Sequence, residues 1–317
     1  MTVSRVLNGN DGGFSDETRQ RVLKVVRELE YVPVAQPVTQ SRNFETRVIG
    51  LHFVGTHFEG VWGQPTFFGF REAAQRLDYD LLVHTRTRPE WMADQQEMQF
   101  LDRRSDGLIF IAPVDQRQVL ETLVKRKLPV VACYMGDVPP EVPWIVVDNR
   151  DAMAQAVQCL HEKGHERILH LTVSARRTDF QARLDGYEQA MQQRNLEPLV
   201  LKAENLPAPE IAGELMKIIK QHDITAVIGH NDAAATFAWD VAQEHGLKVP
   251  QDLSVIGMDD LAQPAQRGLT SVHFSCEEVG RRAMEAVVEL IQGRTYEPRK
   301  CVVPVELVER ASVAPPP

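Results

Sequence analysis

The stretch Ala226-Val-Ile-Gly-His-Asn-Asp-Ala-Ala-Ala235 holds the pattern that decides the fold. Its first residues are apolar without alternation, as in a strand buried on both faces, and Asn231 and Asp232 follow at its carboxyl end. A helical pattern then runs over 233–246. The same unit recurs along the chain. VIGLHF (48–53), DLLVHT (80–85), DGLIFIA (106–112), PVVACY (129–134), WIVVDN (144–149), RILHLTV (167–173) and LSVIGMDD (253–260) read as strands, with helical segments at 64–77, 92–103 and 152–163 between them. Strands apolar on both faces and separated by helices predict an α/β fold of doubly wound parallel sheets, and 317 residues are enough for two of them.

In such folds ligands lie outside the carboxyl ends of the strands. Polar pairs stand at three of those ends: Asp148 and Asn149, Asn231 and Asp232, Asp259 and Asp260. Each pair suits hydroxyl groups in a cleft, and each also suits the cap of the following helix. Three together point to a polar ligand such as a sugar or nucleoside.

The residues before 48 are different in kind. Ser4, Arg5 and Asn8 among Val3, Val6 and Leu7 make a short amphipathic helix with a cation on its polar face, and Gly9 is a natural stop. Ser15 is a helix cap ahead of Asp16 and Glu17, and Val22, Val25, Val26 and Leu29 continue at helical spacing. From Val34 to Arg47 the chain is a polar linker interrupted by Pro37. Residues 1–47 hold seven Arg or Lys against six acids, a balance of +1 in a chain of net charge −9, so the remainder carries −10. That asymmetry is a weak sign of a DNA-facing end on an acidic body.

Several classes are set aside. Neither a membrane-spanning run nor a signal-peptide core is visible, which reads as a cytoplasmic protein. Cys133, Cys159, Cys276 and Cys301 lie far apart and read as buried thiols. His161-Glu-Lys-Gly-His165 satisfies the H-E-x-x-H zinc pattern, but Gly164 ends the helix before the second histidine can share its face. No metal or cofactor is expected. No nucleophile elbow, phosphate loop or dinucleotide fingerprint supports an enzyme.

TVSRVLNG (2–9) and SDETRQRVLKVVRELEYVP (15–33) resemble the DNA-binding headpiece of the lactose-repressor/galactose-repressor (LacI/GalR) family of bacterial transcription regulators. DGLIFIAP, VVDNRDAMAQAVQCLHEKGHERI, ARLDGYEQAM, AVIGHNDAAA, HGLKVPQDLSVIGMDD and LTSVHFSCEEVGRRAMEAV match the family in order. The resemblance implies a partial all-α helix-turn-helix headpiece over 1–33, a hinge over 34–47, and a periplasmic-binding-protein-like core. Its N-terminal subdomain would be 48–147 with 276–304, its C-terminal one 148–275 with 305–317.

The function implied is a ligand-responsive transcriptional regulator, a homodimer that binds operator DNA and a small polar effector, a sugar or sugar derivative. Arg183, Asn231, Asp232 and Asp259 match effector-facing polar positions, with Phe68, Tyr134 and Phe274 as apolar walls and Trp239 a lesser candidate. Thr2, Ser4, Arg5 and Asn8 fall on the recognition helix. The family's first helix would precede Met1, so Met1 stands where an internal residue is expected and the chain as it stands should bind operator poorly. The hinge stretch VAQPVTQSR places Thr39 and Gln40 near the family's minor-groove leucine, so no kinking wedge is expected. A headless cytoplasmic sugar-binding protein without DNA work is the alternative.

Overall fold

A computed structural model describes residues 6, 15–28, 45–53, 63–84, 100–101, 104–134, 136–174, 178–204, 206 and 209–317. Thr2, Ser4, Arg5, Asn8, the hinge through residue 44 and most of the segment 92–103 lie outside them. Near the N-terminus a helix spans Asp16–Glu28, and Ser15 Oγ accepts from Thr18 N at 3.3 Å, the cap read from the sequence.

Two six-stranded sheets make up the body. The first contains β1 (Val48–Phe53), β2 (Asp80–Val83), β3 (Gly107–Ile111), β4 (Val130–Cys133), β5 (Trp144–Val147) and β11 (Lys300–Val303), in the order β2-β1-β3-β4-β5-β11, all parallel. The second contains β6 (Ile168–Val173), β7 (Leu199–Ala203), β8 (Ala226–Gly229), β9 (Ser254–Met258), β10 (Thr270–His273) and β12 (Glu306–Val308), in the order β7-β6-β8-β9-β10-β12. Only β12, paired with β10, runs antiparallel. The strands β7, β10, β11 and β12 escape the apolar-run reading; Lys300 and Val302 are exposed on β11, and β12 has three residues with none buried. The chain passes between the sheets after β5, after β10 and between β11 and β12.

Every residue of β3, β4, β8 and β9 is buried, as strands covered by helices on both faces require. In the first lobe the helices Gly63–Leu77 and Cys276–Ile291 pack together on one face, while Arg117–Lys125 covers the other. In the second, Asn149–Glu162 packs on Thr178–Gln193, with Ala212–Gln221 and Asp232–Glu244 opposite. One apolar cluster runs through both lobes, from Ile49, Ile109 and Val131 through Ala152 and Val157 to Ile228 and Val272. Among the described residues no helix is long and apolar enough to cross a membrane.

In each sheet the strand order reverses once, between β1 and β3 and between β6 and β8. Such reversals open a crevice at the carboxyl ends of the strands. In the second sheet that crevice is bordered by Ser174 and by His230 and Asn231.

Candidate functional site

Arg183, in the second turn of the helix Thr178–Gln193, is 6% exposed. A guanidinium so far from water must be met on every side. Its Nε donates to Asn149 Oδ1 at 2.8 Å, one terminal nitrogen donates to the carbonyl of His230, and the other lies 3.9 Å from Asp259 Oδ1. Phe180, one turn earlier, places its ring 6.0 Å from the same guanidinium and packs edge-on against His230 at 4.7 Å. Groups from β5, β8 and β9 thus converge on one cation. The helix can approach because Gly186 lets it touch the next one: a Cβ there would stand 2.6 Å from the carbonyl oxygen of Arg150.

The three polar pairs divide their work. Asp148 caps the helix Asn149–Glu162 by accepting from Asp151 N at 3.1 Å, while Asn149 turns to Arg183. At the third pair, Asp260 faces Arg310 at 2.6 Å and His273 at 3.3 Å, while Asp259 turns to Arg183. Asp259 sits at φ 116°, a backbone state L residues rarely adopt, and its N–H is anchored on Val272 O at 3.0 Å.

The middle pair departs from expectation. Asn231 is spent as the cap of Asp232–Glu244, accepting from Ala234 N at 2.9 Å. Asp232 is fully buried, and its carboxylate takes the Leu261 N–H at 2.7 Å and the Ser271 hydroxyl. Only glycine at 257 makes room for it, since a Cβ there would lie 2.2 Å from Asp232 Oδ1. Asp232 thus braces the segment just after Asp259 through the Leu261 N–H, and Asn231 caps its helix at the border of the crevice.

Burial pushes the Asp232 carboxyl up to about 6 from an ordinary 3.8, against the pull of the two hydrogen bonds. Between those values the folded chain holds a proton that the unfolded chain has lost. Stability from this group is therefore lost as pH rises through that window. Asp232→Asn removes the titration and can keep both hydrogen bonds, because the Ser271 hydroxyl can accept as well as donate. Urea unfolding is expected to show the variant gaining on the wild type from about pH 4 to pH 6; a difference constant over that range would contradict the assignment.

The aromatic candidates scatter. Tyr134, at φ 64°, is 8% exposed, and its hydroxyl hydrogen-bonds Thr66 on the facing helix; burial raises its pKa far above the ordinary range. Phe274 is 6% exposed at the crossover after β10. Phe68 is 45% exposed, its ring 5.3 Å from the Arg71 guanidinium. Trp239 belongs to the separate core of the second lobe, with Arg267 stacked on it at 4.4 Å. A pocket of about 160 Å³ opens between the lobes, bordered by Tyr134 and Trp144 on one side, Thr178 and Asp179 on the other, and Asn149 at the crossover.

The two histidines of the H-E-x-x-H pattern diverge. The helix ends at Glu162 and Gly164 turns at φ 96°, leaving His165 buried between Thr225 Oγ1 and Ala314 O, each at 2.8 Å. Among the described residues no group of three or more His, Cys, Asp or Glu could hold a metal ion. All four cysteines are buried and free. Sequence reasoning did not choose Asn149, Phe180 or His230 as site residues. Asn149 carried a signal, its place in a strand-end pair; the other two act through a ring face and a backbone carbonyl, which no residue pattern marks.

Two family models match separate parts of the chain. The model of the periplasmic binding protein-like domain matches residues 157–313, and that of the bacterial regulatory proteins of the lacI family matches residues 1–34. The HTH-type transcriptional repressor PurR of Aliivibrio fischeri is 29% identical over 321 residues, covering 98% of this chain and 94% of its own. The HTH-type transcriptional regulator DegA of Bacillus subtilis is 28% identical over 324 residues, covering 99% and 94%. Among solved structures, that of the transcriptional regulator CelR in complex with cellobiose is 25% identical with a TM-score of 0.73, covering 98% of this chain and 94% of that one.

Proposed function

Because this chain belongs to the LacI family of bacterial regulatory proteins, and is thus a ligand-responsive DNA-binding transcriptional regulator rather than an enzyme, we propose that its effector is a neutral polyhydroxy compound, a sugar or sugar derivative, held at Arg183 and Asp259. The observation that carries this reading is the buried Arg183 guanidinium 3.9 Å from the part-buried Asp259 carboxylate at the end of β9. One offers donors and the other acceptors at a spacing that suits adjacent hydroxyls. Tyr134 borders the pocket that Asn149 also lines, Phe274 stands at the crossover after β10, and cellobiose in the CelR complex is a ligand of this chemical kind.

The regulator works, on this reading, as a cytoplasmic homodimer on operator DNA. Thr2, Ser4, Arg5 and Asn8 supply contacts from the headpiece, residues 34–47 form the hinge, and the effector acts by its different affinity for the open and closed lobes. A thermal-shift screen of pentoses, hexoses and disaccharides, cellobiose among them, tests the effector class. A ligand at 100 times its Kd stabilises by about 2.7 kcal/mol, a rise in Tm on the order of 5–10 °C for lobes of this size. A panel in which no sugar moves the transition while flat nitrogen heterocycles do would overturn the reading.

A further inference from the structure

The space between the second sheet and the helix Thr178–Gln193 contains two polar atoms that the fold leaves unused. His170 and Thr172 stand two residues apart in β6, so their side chains project from one face. It is the face on which Ile168 and Ile228 meet that helix. His170 is fully buried and Thr172 is 2% exposed. The imidazole stacks on Tyr187, ring centres 5.1 Å apart and planes at 28°, and its Nδ1 lies 3.1 Å from the carbonyl oxygen of Ile228. A carbonyl can only accept, so Nδ1 carries the ring proton and Nε2 presents a bare lone pair. Burial, with the nearby Arg183 charge acting in the same sense, pushes His170 down to about 4, so the ring is neutral at physiological pH. His170 Nε2 and Thr172 Oγ1 have no hydrogen-bond partner among the described residues. Buried polar atoms are rarely left so.

We propose that His170 Nε2 and Thr172 Oγ1 form a buried subsite beside Arg183 that holds a single O–H group, supplied by water or by a hydroxyl of the effector. The effector half of this statement rests on the reading of Arg183 given above. The chemistry of the guest follows from the atoms present. A lone pair at Nε2 demands a donor, and the Thr172 hydroxyl can complete the guest's hydrogen bonding in either direction. Successive side chains on one strand face are rooted roughly 6.6 Å apart, two strand rises, which one oxygen can bridge. A carboxylate or phosphate oxygen would face the lone pair and is rejected, and an ammonium is repelled by the Arg183 guanidinium. Where the guest is an effector hydroxyl, the subsite therefore takes that hydroxyl and not a carboxylate at the same position.

Nitrogen-15 NMR of the full chain, labelled at histidine, reads the arrangement; His170 ring signals are identified by their loss in His170→Phe. The expected result is a protonated Nδ1 and an unprotonated Nε2 displaced from the bare-imidazole position toward the protonated one, as an accepted hydrogen bond produces. Thr172→Val should return Nε2 toward the bare position, with Thr172→Ala in its place if the valine chain does not fold. Thr172→Ser, which keeps the hydroxyl, should leave the signal where it is. Displacement in buffer alone identifies water as the guest; displacement that arises or changes on adding cellobiose identifies a sugar hydroxyl. A protonated Nε2, a bare Nε2 both with and without cellobiose, or a signal indifferent to loss of the Thr172 hydroxyl overturns the subsite. The Arg183 reading fails by a different sign, a thermal transition that no sugar moves.

Discussion

Arg183→Ala is expected to weaken binding of the best sugar from the thermal screen by at least about 100-fold in calorimetry, since each hydrogen bond to a charged group contributes about 1.5–3 kcal/mol. The substitution removes the ligand's donors and also strips Asp259 of its facing cation and Asn149 Oδ1 of its donor. Arg183→Lys keeps the charge but not the planar fork that reaches Asn149, His230 and Asp259 at once. It should recover only part of the affinity. Leaving the part-buried Asp259 without the Arg183 cation also lowers stability, by about 1–3 kcal/mol. The double variant Arg183→Ala with Asp259→Asn separates the two effects. It should regain stability, because the carboxylate that faced the lost cation is no longer charged, and remain unable to bind. Wild-type affinity in Arg183→Ala would place the effector elsewhere.

The largest stability effect is expected where two helix backbones touch. An added Cβ at Gly69 would lie 2.1 Å from the Glu277 carbonyl oxygen, and one at Gly280 would lie 2.3 Å from that of Thr66. Neither obstacle is a side chain that can swing away. Alanine at either position must push the helices Gly63–Leu77 and Cys276–Ile291 apart and loosen Phe70, Ala73, Val279 and Ala283 between them. Overpacking costs about 1–3 kcal/mol and more when backbone must move, outweighing the roughly 1 kcal/mol that alanine gains over glycine within a helix. A fall in Tm on the order of 6–12 °C follows for about 3 kcal/mol. Gly213→Ala is the control. Nothing lies within 4 Å of its added Cβ, so that variant should melt at or slightly above the wild type. Gly280→Ala should also disturb the cleft, because Thr66 is the partner of the Tyr134 hydroxyl. Equal melting of Gly69→Ala and Gly213→Ala would contradict the close crossing.

The apolar runs made the central strands legible because β3, β4, β8 and β9 are buried on both faces and, apart from Ser254 at the start of β9, carry no polar side chain. Edge strands are wet on one side. Lys300 and Val302 stay exposed on β11 and Lys202 on β7, so the same reading passes over them. At the site, Arg183 and Asp259 were legible through the family resemblance, and the structure brings them together. Which member of the first and third polar pairs turns to Arg183 was not. That choice depends on backbone turns such as the positive φ of Asp259 and on Gly257, which opens room for Asp232 one strand away. His170 and Thr172 sit inside an apolar strand run and look like core, and only their unused atoms set them apart.

The crystal structure of the chain with the sugar that raises its Tm most tests the central claim most directly. The expected result is a sugar between the lobes with neighbouring hydroxyl oxygens within about 3.2 Å of the Arg183 guanidinium and the Asp259 carboxylate. A sugar bound away from that pair, with Arg183 still held only by Asn149, His230 and Asp259, would contradict it.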